Sequence, residues 1–289
     1  MKIYKKRIDK PLRIIPILDI KNGLLIKGIN LEGLRVMGKA ENFANHYYLS
    51  GADEICYIDN VATLYGTNNL TKFVTNTAKN VYIPLTVGGG IRDLQDIKRM
   101  LISGADKVCI NSAVIDDINF LKKASRLYGS SNITVIIQAI KINGKYFISK
   151  SNGRDIVKIN PIDWAKKVEN YGAGEIIITS INNEGIRKGF DIDLAYNISR
   201  KLDIPVIAHG GAGNYKDVYE VAKHTNVSGV AIASLFHYEA INYFPKLKTK
   251  IGNTIFLDNF KKSYKKRNII LELKKYLDSK GVLVRLWKI

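Results

Sequence analysis

The sequence predicts an α/β fold, a (β/α)8 barrel built from two similar half-barrels. The main observation is that the first half of the chain recurs, weakened but in the same order, in the second half: segments 14–19, 51–55 and 83–90 resemble segments 133–138, 172–176 and 204–211. Each half holds apolar strands followed by helical stretches, as a half-barrel does. At 289 residues the chain is somewhat longer than the about 250 residues typical of this fold, which leaves room for an appendage.

Eight short runs rich in β-branched residues are predicted as strands. Several are apolar nearly throughout, as parallel strands covered on both faces must be, and amphipathic stretches such as 94–103 and 161–171 lie between them. The predicted strands are 13–19, 54–59, 81–87, 106–110, 133–139, 175–180, 205–208 and 229–233. Segment 271–280 reads as a last helix that ends before Gly281. Since no low-complexity linker divides the chain, we predict one domain, 1–289, with a basic insertion at about 238–270 before this helix.

Composition limits the class of protein. Cys56 and Cys109 lie in strongly apolar runs, which indicates two reduced core thiols and a cytoplasmic location. The N-terminal segment lacks the apolar core of a signal peptide, and no run approaches the about 18 apolar residues of a membrane span. The net charge of +19 is spread widely, so we predict no nucleic-acid partner, and basic segment 245–267 is interpreted as a solvated loop and helix start. His46, His224 and His237 show no metal-ligand spacing, so neither a metal nor a cofactor is expected.

The candidate functional residues follow the predicted strands, because the active site of such a barrel lies at the C-terminal ends of its strands. In chain order they are Asp19 with Lys21 and Lys27, Asp59-Asn60, Gly88-Gly89-Gly90, Asn111-Ser112, Gln138, Thr179-Ser180 with Asn182 and Gly185, His209-Gly210-Gly211, and Ala233-Ser234.

The glycine runs predict phosphate binding. A glycine at a strand end lets backbone N–H groups approach an anion without an intervening Cβ, and the start of the next helix adds partial positive charge. One such run is also typical of a plain tight turn. A second run at the symmetry-related place favours two cradles and a substrate with a phosphate at each end. The predicted phosphate-binding residues are Gly89, Gly90, Asn111, Ser112, Gly185, Gly210, Gly211, Ala233 and Ser234.

Together these motifs resemble the cyclase subunit of imidazole glycerol phosphate synthase, a (β/α)8 barrel of histidine biosynthesis that works with a glutaminase partner. The resemblance runs from about residue 13 to 237 and resumes at 271–286. Its most specific segments are 17–23, 85–91, 104–111, 172–175 and 210–213. The resemblance implies a lyase in which ammonia attacks a bis-phosphorylated ribulosyl aminoimidazole carboxamide, giving imidazole glycerol phosphate.

The catalytic pair is the main departure from this family. The resemblance implies two strand-end aspartates as proton-transfer groups. The first corresponds to Asp19, whereas the second falls on Gln138, and Thr179 is a further catalytic candidate. Gln has no titratable proton near neutral pH, so it can orient a substrate but cannot serve as a general acid or base. His209 also stands where a smaller residue is usual.

The ammonia path implied by the resemblance is better preserved. The family closes the N-terminal end of its barrel with an arginine, a lysine and two glutamates, which correspond to Arg13, Lys107, Glu54 and Glu175. Asp106 matches a residue at the face where the glutaminase docks as the other half of a heterodimer. A salt-bridge layer that merely plugs the barrel would use the same residue types.

Three functions are therefore compatible with the sequence. The first is the cyclase, with activity altered by Gln138. The second is an ammonia-channelling paralogue that serves amidation of a surface-polysaccharide sugar, and the third is a non-catalytic scaffold that docks a glutaminase. Asp19, Thr179 and both glycine runs argue against the scaffold, because a conduit needs none of them.

Overall fold

Eight parallel strands close into a barrel in the computed structural model of the chain, which describes residues 10–59, 70–244 and 267–286. The strands in chain order are β1 Arg13–Lys21, β2 Leu24–Ile29, β3 Glu32–Lys39, β4 Ile55–Asp59, β5 Leu85–Gly88, β6 Lys107–Ile110, β7 Ile133–Ile142, β8 Lys145–Lys150, β9 Asp155–Val157, β10 Glu175–Ser180, β11 Val206–His209 and β12 Gly229–Ile232. The barrel runs β1-β4-β5-β6-β7-β10-β11-β12, and β12 pairs with β1 to complete the circle. The predicted fold class is confirmed.

Helices follow the barrel strands and pack outside them. In chain order they are α1 Ala40–Leu49, α2 Leu70–Ala78, α3 Leu94–Ile102, α4 Ser112–Asp116, α5 Ile118–Tyr128, α6 Pro161–Asn170, α7 Ile192–Ser199, α8 Tyr215–His224, α9 Ser234–Ala240 and α10 Ile269–Ser279, with 3-10 turns at Ser130–Asn132 and Ile241–Tyr243. In the described residues, no helix combines the length and apolarity needed to cross a bilayer.

Two apolar layers hold the barrel together. The larger layer lies between strands and helices, and the smaller one fills the barrel, because side chains of a strand alternate between its two faces. The interior residues are Ile15, Ile17, Cys56, Ile58, Cys109, Ile136, Ile177, Ile207, Ala231 and Ala233. Both cysteines are free and buried, and burial raises the pKa of each thiol well above its usual range. They are core thiols, as predicted.

The two halves of the chain repeat each other in local structure. After the first glycine run, Asp93 and Asp96 form a capping box at the start of α3. After the second run, Asn214 and Asp217 form the same box at the start of α8. Such boxes satisfy N–H groups that have no partner within the helix. The glycine runs are therefore followed by helices whose starts are fixed in the same way.

Two β-hairpins were not predicted. The β2–β3 hairpin extends β1, and the β8–β9 ribbon extends β7, each with antiparallel pairing. Asn22-Gly23 turns β1 into β2 and Asn143-Gly144 turns β7 into β8, with positive φ at all four residues. Asn-Gly between apolar runs is a strong hairpin signal that the strand assignment overlooked. The third barrel strand also begins at Leu85 rather than residue 81, since Pro84 just before it has no N–H to donate.

The last helix is fastened by a buried lysine. The Nζ of Lys274 donates to Asp53 Oδ1 at 2.8 Å, to the Gly51 carbonyl at 2.7 Å and to the Arg285 carbonyl at 3.0 Å. This helix was predicted and begins two residues earlier than expected. Most of the basic insertion, 245–266, lies outside the described residues, as do Asn60 and Trp287, so the single domain with its insertion stays a prediction.

Candidate functional site

Four polar side chains point into the barrel at its C-terminal mouth. Each lies two positions beyond an interior isoleucine on the same strand, and residues two apart share a face. These side chains are Asp19, Gln138, Thr179 and His209. All four are buried, with 2% to 8% of their surface exposed. The strands thus place Asp19, Gln138 and Thr179 on the inward face of the barrel at the same end.

Three of these residues form a row across adjacent strands. In the register of the sheet, Thr179 on β10 lies between Gln138 on β7 and His209 on β11. Neighbouring strands are about 4.8 Å apart, so each side chain lies next to the following one. Thr179 Oγ1 is 2.9 Å from His209 Nδ1, a hydrogen bond whose donor depends on the imidazole tautomer.

His209 is uncharged at neutral pH. Burial lowers its pKa to about 4, against a smaller raising effect of Glu184. His209 was predicted to lie at a strand end, without a functional role. The spacing from Ile207 could have shown that its side chain faces the mouth.

The first glycine cradle borders a cavity of about 560 Å³. Its lining includes Gly89, Gly90, Asn111, Ser112 and Gln138, so the predicted residues of this cradle come together. At Gly89, φ is +95° and a Cβ would lie 2.2 Å from the Asp59 carbonyl oxygen, which explains why glycine is required there.

Asn111 joins this cradle to the catalytic row. Its Nδ2 donates to Gln138 Oε1 at 3.2 Å and to the Ser149 carbonyl at 3.3 Å. Its buried Oδ1 has no hydrogen-bond partner among the described residues. Since buried polar atoms are normally paired, this oxygen is an acceptor available to a bound substrate.

The second cradle lies at the symmetry-related place. Its pocket is lined by residues including Gly185, Gly210, Gly211, Ala233, Ser234 and His209. Gly211 has φ +108°, and a Cβ there would lie 1.9 Å from the Gly189 carbonyl oxygen. The predicted residues of this cradle also lie together.

Basic side chains that were not predicted border both cradles. Arg92 and Lys123 line the first cavity, and Arg187 lines the second pocket. Cations near a glycine-rich anion site add favourable charge. The position of Arg92 two residues after the glycine run was a signal available in the sequence.

A buried ion pair fixes one wall of the mouth. Lys27 on β2 contacts Glu184, and their side chains are 1% and 2% exposed. The same glutamate accepts from the Leu31 N–H at 3.1 Å, and its carbonyl accepts from the Asn30 N–H at 2.9 Å. The ion pair and these two hydrogen bonds therefore hold the β2–β3 hairpin against the loop that follows β10.

At the opposite end of the barrel, the four charged residues of the predicted gate form a closed ring. Arg13 contacts Glu54 at 3.1 Å and also Glu175, and Lys107 contacts the same two carboxylates at 2.7 and 2.8 Å. Burial opposes charging of Glu175, but Arg13 and Lys107 outweigh it and hold its pKa below the usual range. The pKa of Lys107 is raised, since the two carboxylates outweigh burial.

Asp106, the predicted docking residue, is exposed beside this ring. Its Oδ2 also accepts from the Leu85 N–H at 2.8 Å. One carboxylate oxygen thus supports the neighbouring strand.

Comparison with known proteins gives the family. The model of the histidine biosynthesis protein family matches residues 13–242, which span the whole barrel. The chain belongs to this family.

Histidine biosynthesis proteins of similar sequence share one name, imidazole glycerol phosphate synthase subunit HisF. The protein of Legionella pneumophila is 47% identical over 206 residues, which cover 71% of this chain and 97% of the relative. That of Sulfurisphaera tokodaii is 42% identical over 236 residues, covering 82% of this chain and 94% of the relative. That of Natranaerobius thermophilus is 38% identical over 274 residues, covering 95% and 98%.

This member of the histidine biosynthesis family has a ring of charges at one end of its barrel and a row of polar side chains at the other. The ring of charges lies at the N-terminal end of the barrel, and the glycine cradles lie at its C-terminal end. The catalytic row holds Gln138 and His209 on either side of Thr179.

Proposed function

We propose that this chain is the cyclase subunit of imidazole glycerol phosphate synthase. It takes ammonia from a glutaminase partner and uses it on a bis-phosphorylated ribulosyl aminoimidazole carboxamide, giving imidazole glycerol phosphate as a lyase. The observation that carries the proposal is the arrangement along the barrel axis: a ring of charges lies at one end, and Asp19 lies between two glycine cradles at the other. The cytoplasmic location stays a prediction.

Each part of the site has a task in this proposal. The cradles at Gly89-Gly90 and Gly210-Gly211 hold one phosphate each, through backbone N–H groups and the hydroxyls of neighbouring residues. Because both ends of the substrate are held, its reacting carbon is fixed above the barrel axis. Asp19 faces that axis and transfers protons there. Gln138, hydrogen-bonded to Asn111, orients the substrate.

The ring of charges admits ammonia from the N-terminal end. Arg13 and Lys107 each bridge the same two glutamates, so one cation can swing away while the other still contacts both carboxylates. Arg13 is 28% exposed and Lys107 is 14% exposed at their side chains, which makes Arg13 the easier one to displace. The exposed Asp106 lies beside this entrance and is the proposed contact with the glutaminase.

Turnover with ammonium salts tests this function without a partner. We expect the purified chain to convert the histidine-pathway substrate, as followed by formation of imidazole glycerol phosphate. Absence of turnover by both the native chain and Gln138→Asp, with phosphate still bound at the cradles, would contradict the proposal. Amidation of a surface-polysaccharide sugar would then be the leading function, and Gln138 is the observation that favours it.

Association with the cognate glutaminase tests the partner. We expect a one-to-one complex on size-exclusion chromatography and stimulated glutamine hydrolysis. Asp106→Asn keeps an oxygen for the Leu85 N–H but removes the charge, so it isolates the docking role. A chain that stays monomeric beside an inactive glutaminase would contradict the docking proposal.

A further inference from the structure

The mouth contains an imidazole next to the position that lacks a carboxylate. Thr179 separates Gln138 from His209 in one row of inward-facing side chains. Gln138 cannot exchange a proton near neutral pH, whereas imidazole can. Among the four inward-facing polar residues of the mouth, Asp19 and His209 are the two that can transfer protons.

The hydrogen bonding of His209 leaves one ring nitrogen available. Nδ1 contacts Thr179 Oγ1 at 2.9 Å, and Nε2 has no hydrogen-bond partner among the described residues. The imidazole also lines the pocket of the second glycine cradle. A threonine hydroxyl on Nδ1 orients the ring, as a second group commonly does for a working histidine.

Several charged or titratable groups surround this imidazole. Glu184 and Lys27, which form the buried pair, act on it with opposite sign, and His237 on α9 is coupled to it electrostatically. Arg187 lines the same pocket, and Asp191 shares a small second pocket with it. Because Lys27 and Glu184 largely offset each other, a phosphate in the adjacent cradle would be the strongest uncompensated charge near the ring.

We propose that His209 is a catalytic acid–base residue of this barrel and that, together with Asp19, it replaces the proton transfer for which Gln138 has no group. This inference rests on the proposed function for the identity of the substrate. In this proposal His209 exchanges a proton with the reacting nitrogen, whereas a phosphate ligand would only help to bind the substrate.

The proton balance of the step is closed. The ammonia lone pair forms the new C–N bond while the carbonyl π pair moves to oxygen, and Nε2 takes the proton that the nitrogen must lose. The imidazolium then returns this proton to the alkoxide oxygen, which gives a neutral carbinolamine, so the ring ends neutral, as it began. Thr179 accepts from Nδ1–H throughout.

The charge state of the ring suits this sequence. Burial keeps free His209 neutral, with a pKa of about 4, so the ring can accept a proton. A bound phosphate dianion favours the imidazolium and raises that pKa towards the working range. The base would therefore become effective when the second cradle is filled.

Steady-state kinetics with ammonium salts tests the proposal. We expect His209→Gln and His209→Asn to lower kcat by about a hundredfold or more, with KM changed less than about threefold, and to remove the acidic limb of the kcat–pH profile. His224→Gln, at a half-exposed surface histidine, is the matched control. Gln138→Asp in the His209→Gln background should restore much of kcat. A kcat lost through misfolding would not be restored by this second substitution.

Other kinetic outcomes would overturn the proposal. A His209→Gln variant with native kcat and raised KM would make His209 a phosphate ligand, and native values for both constants would make it structural. Turnover by Gln138→Asp but not by the native chain would leave the proposed function intact while refuting the role of His209.

Histidine ¹⁵N NMR tests the role of His209 if neither the native chain nor Gln138→Asp converts the histidine-pathway substrate, that is, if the proposed function itself fails. The chain has four histidines, so His209→Gln assigns the signal. With inorganic phosphate as probe, we expect the His209 midpoint to rise by about one pH unit or more. A His209 signal that saturating phosphate leaves unmoved would then refute the inference.

Discussion

Lys27 and Glu184 form an ion pair, almost completely shielded from solvent, that joins the β2–β3 hairpin to the loop after β10. This loop borders the second cradle, and its Gly185 lies against the Gly28 carbonyl of the hairpin. A buried pair of this kind fixes geometry more than it adds stability, because desolvation offsets much of the Coulomb attraction. The mouth therefore has one rigid wall built from two loops distant in sequence.

Glu184→Gln is expected to release this wall. Removing one partner leaves the Lys27 ammonium buried without a counter-charge, which costs about 3–5 kcal/mol when no rearrangement occurs. We expect faster amide hydrogen exchange over 24–39 and a lower Tm. Glu220→Gln, which removes an exposed partner of His224, should change neither. Unchanged exchange over the hairpin would show that backbone pairing alone holds it.

Asp19→Asn is expected to abolish most ammonium-dependent turnover. Asn keeps the size and hydrogen-bonding oxygen of Asp but cannot exchange a proton, and a positioned acid or base contributes about a hundredfold to ten-thousandfold. The loss should fall on kcat. Asp278→Asn on the exposed face of α10 is the control. Retention of more than about a tenth of native kcat would remove Asp19 from the proton-transfer pair.

Gly211→Ala is expected to damage the second cradle selectively. The added Cβ meets the Gly189 carbonyl oxygen at 1.9 Å, and φ of +108° is unfavourable for alanine. We expect weaker phosphate binding by isothermal titration calorimetry, with one of two sites lost. Gly144→Ala has a similar φ of +78° in open space and is the control for backbone strain alone. Two intact sites in Gly211→Ala would place the second phosphate elsewhere.

Glu175→Gln is expected to change how stability depends on pH. The pKa of Glu175 lies below its usual 4.5, so the ionised form stabilises the fold; this contribution is complete above about pH 4.5 and is lost as pH falls through the folded-state pKa. The variant should be less stable at pH 7, by about 1–3 kcal/mol given the partial exposure of Arg13 and Lys107.

Urea unfolding at pH 7 and pH 3 measures this effect. The difference in the free energy of unfolding between native chain and variant should shrink at the lower pH. Glu272→Gln removes a half-exposed carboxylate from the Arg267 pair and should show a small, nearly pH-independent effect. An equal loss at both pH values for Glu175→Gln would assign the effect to packing rather than charge.

Much of the barrel could be predicted from the sequence because its signals are local. Apolar β-branched runs identify parallel strands that are covered on both faces, and glycine pairs identify backbone that must adopt positive φ. The Asn-Gly turns that follow β1 and β7 are equally local signals. The position of a strand end, such as Asp19 after β1, is likewise fixed by the run that precedes it.

The sequence by itself determined the fold class and the places of the two glycine runs, since each depends on short runs of residue types and on their order. The four residues of the charged ring were identified through the family resemblance. Only the tertiary structure decided which side chains meet across strands. That Thr179 hydrogen-bonds His209, that Glu184 pairs with Lys27, and that four charges close into one ring follow from register and barrel closure. The physical reason is that contacts between residues far apart in the chain depend on how strands align, and no local pattern encodes that alignment.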